Sequence, residues 1–449
     1  MRLFKGLSFQ FAVLLCCSVL IALSSCRKDE PKTFASNSIK GTSTELLSSW
    51  MEFSLEATKN SPGYACPVSA RAYAYFGIAL NELAAYSQSS VPSFSLKLQG
   101  FDASSLPSLI SSGEIDWNRA YNVLLFSMSK HFYRNLPPVV AQELTKTYEK
   151  NKGLYNAAAT EDVILRTEQL ASDLSKAIIA YSLTDGQDEA YLNNYPSSYT
   201  LPQGNGLWSP ALTSDKKPLL PYWGQVRTFS SANNGKMVDN TPPAFSSEAN
   251  SEMYAYALEV HNRTKSLTKA DETMVRYWND DQKFSITTPG HLVSILMQLI
   301  RSENKDLAFA SQALMKLGIA MHDATVVAWK TKYTFNTVRP INYIRDFIDG
   351  NFITLVNTQA SPEFSSAQAA TAGAAAEVLG SIFGYSFGFT DRTYEFRKDI
   401  DGSPRSYRSF KQLAEEVTMS NLYGGIHYRF SLEAGQTQGQ EIGYNISTL

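Results

Sequence analysis

Three short segments in the C-terminal third of the chain carry residues that could together bind an oxyanion. The first contains Lys332 and Arg339, which are seven residues apart and are followed by Pro340. Two cations at a helix end and in the following turn can converge on one anion, because arginine offers a planar fork of N–H donors and lysine adds a point charge. Two basic residues alone are more often a solvated surface pair, so the prediction depends on the other two segments.

The second segment is Ser365-Ser366-Ala367-Gln368, and the alanine-rich stretch 369–379 follows it. A serine at this place predicts a helix N-cap, and the backbone N–H groups of the first turn would form a favourable anion site. Capping by Ser365 or Ser366 would explain the same pattern without any ligand. The segment therefore predicts a helix N-terminus and is compatible with an anion site there.

The third segment contains His427, shortly after Gly424 and Gly425. Two glycines let the backbone pass close to a ligand, and a neutral imidazole can act as a nucleophile or as a metal ligand. A lone histidine is normally structural or merely exposed. That interpretation is given to the other four histidines: His131, His261, His291 and His322.

Together the three segments resemble the vanadium-dependent haloperoxidase and type 2 phosphatidic acid phosphatase superfamily. Its pattern is Lys-x6-Arg-Pro, then Pro-Ser-Gly-His, then Ser-Arg-x3-Gly-x-His-x3-Asp. The first element is complete here, the second keeps Ser366, and the third keeps Ser420, Gly425 and His427. The resemblance spans roughly 46–449 and is greatest to the secreted bacterial branch, of the Bacteroidetes lipoprotein type.

The resemblance implies a role for each residue of the three segments. His427 would be the nucleophile of a phosphatase or the ligand of vanadate in a peroxidase, so vanadate is a possible cofactor and a phosphate-like oxyanion a possible partner. The oxyanion would be held by five further residues: Lys332, Arg339, Ser366, Ala367 and Asn421.

Three positions depart from the pattern of the superfamily. Gln368 replaces the acid–base histidine, and because an amide cannot shuttle a proton near neutral pH, that step should lose about 10²–10⁴ in rate. Asn421 replaces an arginine, which costs about 1.5–3 kcal/mol of charge-assisted bonding. Ser431 replaces the aspartate that orients the histidine, and serine cannot stabilise an imidazolium by charge.

These departures favour a catalytically impaired homologue with a degenerate active site that retains weak phosphate or vanadate binding. An active phosphatase or peroxidase is the alternative hypothesis. It would gain support if another acid–base residue, such as His291 or His322, reached the oxyanion pocket.

Helical periodicity dominates the elements that must position these segments. Pro67, for example, opens a segment in which Phe76 and Leu83 recur on one helical face, and Thr160 is expected to cap a long helix. No convincing strand pattern is found. Helices are expected near 47–55, 67–83, 117–132, 161–181, 247–264, 268–279, 289–303, 306–330, 341–347, 366–384, 408–422 and 426–445.

Residues 184–246 interrupt the helical pattern with many Pro, Gly, Asn and Ser residues. A connection this long is usually functional or wraps a core, so it is interpreted as an excursion within one domain. The prediction is an all-α, multi-helix bundle of the haloperoxidase and acid phosphatase type. Its single large domain would span 46–449, with roughly twelve helices and the site elements in 320–449.

The first 25 residues predict a lipoprotein signal peptide. A basic start precedes the apolar run 7–23, and Leu23-Ser24-Ser25-Cys26 resembles a lipobox. Cys26 would then be lipidated, and 26–45 would be a flexible tether. The charged residues 27–30 resemble the export signal of surface-exposed lipoproteins. The expected location is the bacterial outer membrane, with attachment through the lipid on Cys26.

Cysteine count and charge exclude several other classes of protein. Of Cys16, Cys17, Cys26 and Cys66, only Cys66 would remain as a free thiol, so neither a disulfide framework nor a CxxC metal site is expected. A net charge of −2 with no basic block argues against nucleic-acid binding. No sequence feature specifies an oligomeric state.

Overall fold

The computed structural model describes residues 43–108, 113–210, 217–281 and 284–449, all within one compact unit. The signal peptide, Cys26 and most of the tether lie outside the described residues. Thirteen α-helices and one two-stranded sheet are present in the described ranges, which confirms an all-α fold with a single domain. The first helix begins at Thr44, two residues before the boundary expected for the domain.

The helices have these bounds: α1 Thr44–Asn60, α2 Cys66–Ser87, α3 Trp117–Phe132, α4 Pro138–Tyr155, α5 Glu161–Ser182, α6 Glu252–Lys265, α7 Lys269–Tyr277, α8 Thr287–Ser302, α9 Leu307–Phe335, α10 Pro340–Phe347, α11 Ala367–Phe383, α12 Phe410–Tyr423 and α13 Arg429–Ser447. The strands are β1 Phe389–Asp391 and β2 Arg405–Tyr407. Among the described helices, none has a stretch that is long and apolar enough to span a membrane.

Helix α9 is the centre of the core and is buried along nearly all of its 29 residues. It packs closely against α2, where a Cβ on Gly318 would lie 2.8 Å from the backbone of Ala74. Only glycine permits this approach of the two helix backbones. The close packing fixes the C-terminal end of α9, which carries Lys332.

A seam of glycines on α13 holds α11 in place. A Cβ on Gly435 would lie 2.4 Å from the carbonyl oxygen of Ser366, and one on Gly439 would lie 2.0 Å from that of Ala370. At both positions the glycine has no side chain between its own backbone and the carbonyl oxygen of α11. The backbones of the two helices can therefore approach each other closely. The seam places the N-terminus of α11 beside the start of α13, and therefore brings the second and third segments together.

The excursion between α5 and α6 is anchored to α9 by one buried carboxylate. Asp323 accepts hydrogen bonds from the backbone N–H of Phe229 (2.8 Å) and Ser230 (3.1 Å) and from Nδ2 of Asn233 (2.9 Å). Burial raises the pKa of Asp323 to about 7, although the three hydrogen-bond donors act to lower it. The described residues of the excursion contain two short 3₁₀ turns, Trp223–Gln225 and Ser231–Asn233, and an isolated β-bridge between Leu207 and Thr337.

Two details of the sequence-based expectation are wrong. The absence of strands is contradicted by β1 and β2, which pair antiparallel with Thr390 opposite Ser406. Each strand has only three residues, too few for an alternating pattern to show. Helix α4 was also not expected, because only Val140, Leu144 and Asn151 of its residues are buried and its apolar pattern is therefore weak.

The predicted cap of α5 is only partly correct. Thr160 is the N-cap residue, but its side chain makes no capping hydrogen bond. The acidic first turn, with Glu161 and Asp162, is present as expected and complements the helix dipole.

Candidate oxyanion site

Lys332 and Arg339 stand on either side of the turn that joins α9 to α10. Lys332 lies in the last turn of α9, which ends at Asn336 in the left-handed conformation (φ 49°). Arg339 is the N-cap residue of α10, and Pro340 starts that helix as expected. Both cations have 0% exposure, which excludes the interpretation as a solvated surface pair.

Both cations bind the chain segment that precedes α11. The Lys332 ammonium donates to the carbonyl oxygens of Pro362 (2.9 Å) and Glu363 (3.0 Å). The Arg339 guanidinium donates from Nε to the carbonyl oxygen of Ser361 (2.8 Å) and from Nη2 to its hydroxyl (3.0 Å). Burial lowers the pKa of Arg339 to about 10, and burial together with Arg339 holds the pKa of Lys332 well below its usual range. Arg339 therefore stays charged at neutral pH.

His427 lies between Glu363 and Arg339. Its Nδ1 is 2.7 Å from Oε1 of Glu363, and its Nε2 is 3.1 Å from Nη1 of Arg339. Because a guanidinium only donates, Nε2 must accept from it, and Nδ1 then carries the proton toward Glu363. Burial, and then Arg339 and Lys332, hold the pKa of His427 well below its usual range, so the imidazole is neutral.

Glu363 is the residue that sequence reasoning missed. The resemblance placed the carboxylate for His427 at position 431, where the chain has serine, and counted it as lost. In the structure Glu363, with 0% exposure, supplies a carboxylate at that nitrogen and also accepts from the backbone N–H of Tyr428 (3.1 Å). Ser431 instead donates from its hydroxyl to the carbonyl oxygen of Glu363 (3.3 Å). The expectation that His427 lacks a carboxylate partner is therefore corrected.

The available signal for Glu363 was its position two residues before the second segment, where it is the only charged residue between Asp349 and Glu377. An acidic residue that is buried must be paired, so a carboxylate at this place should have suggested a partner among the cations. Burial raises the pKa of Glu363 to about 7, while Arg339 and Lys332 act to lower it.

Ser366 is the N-cap of α11, as predicted, and it adjoins the third segment. Its hydroxyl accepts from the N–H of Ala369 (3.3 Å), and its own N–H donates to the carbonyl oxygen of Ser431 (3.1 Å). Ala367 begins the helix and is buried. The second segment is thus joined to the third through backbone bonds.

Gln368 and Asn421 direct their amides to backbone carbonyls. Nε2 of Gln368 donates to the carbonyl oxygen of Trp278 (2.9 Å), and Nδ2 of Asn421 donates to that of Val417 (2.8 Å), one turn earlier in α12. Within the described residues, neither amide hydrogen-bonds to Lys332, Arg339 or His427. The structure therefore brings those three residues together but does not add the two amides to them.

Neither of the two histidines that could have supplied a replacement acid–base group joins this set. His291 is hydrogen-bonded to Asp280 (3.0 Å) and Asp391 (2.8 Å), and Nε2 of His322 pairs with the carbonyl oxygen of Arg227 (3.2 Å). Both are fully buried. In the described part of the chain, neither is hydrogen-bonded to His427.

A cavity of about 810 Å³ opens next to this segment. It is lined by residues 357–360, which lead directly into Ser361, and by Trp329 on α9 and Asp280. Cys66 also lines it, but burial raises the pKa of its thiol to about 12. The thiol is therefore protonated at neutral pH, which disfavours a role as a nucleophile.

Comparisons with known proteins agree with the fold described above. Residues 312–449 match a family model described as the VCPO second helical-bundle domain. The crystal structure of a bacterial vanadium-dependent iodoperoxidase is 26% identical, and the match covers 94% of this chain and 98% of that one with a TM-score of 0.76. No match is found among curated protein sequences.

Two structures of a bacterial vanadium-dependent chloroperoxidase share the fold. The holo-type structure is 13% identical over 85% of this chain and 92% of that one, with a TM-score of 0.59. The apo-type structure is 12% identical over 86% and 93%, with a TM-score of 0.61. The helical fold, the matched C-terminal bundle and the three convergent segments together support a place for the chain in the vanadium haloperoxidase and type 2 phosphatidic acid phosphatase superfamily.

Proposed function

We propose that this protein binds a tetrahedral oxyanion at His427 and has lost most of the catalytic turnover of its superfamily. One observation carries the proposal. Burial, Arg339 and Lys332 keep His427 neutral, and Glu363 and Arg339 orient it by hydrogen bonds, while the amides of Gln368 and Asn421 are bonded to backbone carbonyls. The binding half of the site is therefore retained, and the half that moves protons is not.

The side chains fit vanadate, the group named for the similar structures. Nε2 of His427 would be its ligand, and Arg339, Lys332 and the backbone N–H groups that follow Ser366 in the first turn of α11 would hold its oxygens. Bound vanadate would supply an electrophilic centre for peroxide chemistry. Without a ligand, Arg339 donates a hydrogen bond to Nε2 of His427. A bound oxyanion would replace this bond with one from Arg339 to an oxyanion oxygen, so the net free energy gained on binding is smaller.

Proton transfer is the step that the chain does not support. The amide of Gln368 can donate a hydrogen bond but cannot release and recover a proton near neutral pH. Nδ1 of His427 already carries its proton toward Glu363. Peroxidase and phosphatase rates should accordingly be about 10²–10⁴ below those of a member with the acid–base histidine.

Vanadate binding measured by calorimetry tests the proposal. Micromolar binding is expected for the protein and should be lost in His427→Ala, because the ligand nitrogen is removed. His261→Ala is the matched control, since His261 lies on α6 and pairs with Asp349. Absence of binding at millimolar vanadate would rule out an oxyanion site. Turnover of peroxide or of a phosphate ester at ordinary enzyme rates would instead favour the active peroxidase or the phosphatase with His427 as nucleophile.

The role of Glu363 can be tested separately with Glu363→Gln. An amide at this position carries no charge and can turn either its oxygen or its NH2 group toward Nδ1 of His427, and loss of such an orienting partner typically weakens ligand binding about 10–100-fold. The measurement is vanadate affinity together with ¹⁵N shifts of the imidazole, which report its tautomer. Glu149→Gln, on the exposed face of α4, is the control. An unchanged tautomer with unchanged affinity would show that Glu363 does not position His427.

We further infer that the protein is a lipoprotein of the bacterial outer membrane, displayed at the surface. The support is the apolar run followed by the lipobox-like Leu23–Cys26 and the charged residues after it. Changing Cys26 to alanine is expected to release the protein into the soluble fraction, whereas Cys66→Ala should leave it membrane-bound. Retention of the Cys26 variant on membranes would contradict the inference.

A further inference from the structure

A second cavity, of about 690 Å³, lies next to Phe364 and is called the α6–α13 cavity here. Its walls are one face of α6, one face of α13 and the loop 240–244, and its lining includes none of Lys332, Arg339 and His427. It is therefore separate from the oxyanion site, although Phe364 directly follows Glu363 in the chain.

Each helix contributes one carboxylate and one aromatic ring to this cavity. On α6, Glu252 and Tyr256 are four residues apart, and on α13, Phe430 and Glu433 are three residues apart. Residues at these spacings share a helix face, so the ring and the carboxylate of each pair point to the same side. The two faces are tied together at one end, where Arg429 donates to both carboxylate oxygens of Glu259.

The aromatic rings form a continuous surface. The centroids of Tyr256 and Phe430 are 5.0 Å apart with the rings at 70°, and those of Phe364 and Phe430 are 5.8 Å apart at 37°. Phe364 is almost completely buried, so it closes the bottom of the cavity. A cation that lies over the face of such a ring is attracted by the ring quadrupole.

The charge of the cavity is negative and is not balanced by its own lining. Glu252 and Glu433 make no hydrogen bond or ion pair among the described residues, and no Lys or Arg lines the cavity. Arg429, at the start of α13, forms its ion pair with Glu259 and offsets part of the charge of Glu433 without an ion pair to it. Burial raises the pKa of Tyr256, and Glu252 and Glu433 raise it further, which agrees with both carboxylates facing this ring.

We propose that the α6–α13 cavity binds an organic cation with an alkylammonium head. The rings of Tyr256 and Phe430, beside the two carboxylates of Glu252 and Glu433, suit a weakly hydrated cation, because such a cation is attracted both to aromatic rings and to negative charge. A divalent metal ion fits less well, because it prefers several oxygen ligands, and the described residues hold no group of three or more acidic, histidine or cysteine side chains placed to bind one. The proposal stands on this cavity alone and does not depend on oxyanion binding at His427.

Titration of the full-length protein with tetramethylammonium and with choline tests the proposal. Binding is measured by calorimetry or by saturation-transfer NMR. The neutral isostere of choline, 3,3-dimethylbutan-1-ol, is the ligand control. Each of Glu252→Gln and Glu433→Gln is expected to weaken choline binding about two- to fivefold, and Phe430→Leu by a similar factor. Glu149→Gln makes the same charge change outside the cavity and should have no effect. Binding should also weaken as salt is added.

Equal binding of the neutral isostere would overturn the proposal, because the cavity would then be recognising shape alone. So would unchanged choline affinity in the Glu252→Gln/Glu433→Gln double variant, or no binding of either cation. A comparison with glycerophosphocholine identifies the source of the cation. If glycerophosphocholine binds more tightly than choline, the natural ligand is a lipid headgroup. If it binds more weakly, the natural ligand is a free organic cation.

Discussion

Replacing Arg339 with methionine is expected to lower the free energy of unfolding by about 3–5 kcal/mol, because it removes the donor of several buried hydrogen bonds and the positive charge that acts on the buried Glu363. Arg339 has 0% exposure and donates to Ser361, to the carbonyl oxygen of Ile426 (3.0 Å) and to His427. Methionine fills a similar volume but leaves these acceptors without a donor. Urea unfolding at pH 7 gives the change, and vanadate binding should be lost at the same time.

Arg429→Met is the matched control for this experiment. Arg429 lies at the start of α13, but its ion pair with Glu259 is about one-third exposed, so its loss should cost at most about 1 kcal/mol. The loss of unfolding free energy in Arg339→Lys should lie between the losses in Arg339→Met and Arg429→Met, because lysine keeps the positive charge but lacks the several N–H donors of the guanidinium. If Arg339→Met unfolds within about 1 kcal/mol of the unchanged protein, the hydrogen bonds of the guanidinium are not holding the segment before α11.

The parts of the site that were predictable are those encoded by neighbouring residues. Pro340 directly after Arg339 indicates a helix start, and a serine before an alanine-rich run indicates an N-cap. Both are present, at α10 and α11. Local chemistry is enough for such features because the interacting groups are three or four residues apart.

The partner of His427 was not predictable in the same way. Glu363 is 64 residues away in the chain, and the pairing depends on the packing of α11 against α13. Spacing within the third segment pointed to position 431, which is occupied by a serine that bonds elsewhere. A sequence pattern can show that a role has left one position, but the fold decides which residue is close enough to take it.

The amide of Gln368, which stands in place of the acid–base histidine, shows the same dependence on tertiary structure. Its chemistry, that of a group unable to carry a proton, follows from the residue type alone. Its partner, the carbonyl oxygen of Trp278, does not, because Trp278 comes from the end of α7, 90 residues away. That bond connects the N-terminus of α11 to a buried cluster around His291, on which the Trp278 ring stacks with centroids 4.5 Å apart.

His291→Gln is expected to lower the free energy of unfolding by about 3–5 kcal/mol at pH 6 to 7, because it leaves two buried carboxylates without their cation. Burial acts to lower the pKa of His291, but Asp280 and Asp391 outweigh it and raise the pKa to about 10. All three side chains have 0% exposure, so solvent does not screen the pairs. Two hydroxyls complete the cluster: Tyr394 donates to Asp280 (2.5 Å) and Tyr277 donates to Asp391 (2.7 Å).

The pH dependence of stability should reveal the charge on this histidine. A pKa raised in the folded state means that the stabilisation is fully present below about pH 6.5, the ordinary value for histidine, and is lost as the pH rises toward 10. The difference in unfolding free energy between the protein and His291→Gln should therefore shrink between pH 6.5 and 10. His322→Gln is the control, because burial lowers the pKa of His322 to about 4 and that side chain stays neutral throughout this range. A His291→Gln difference that stayed constant across the range would mean that the Asp280–His291–Asp391 cluster is held together without an imidazolium.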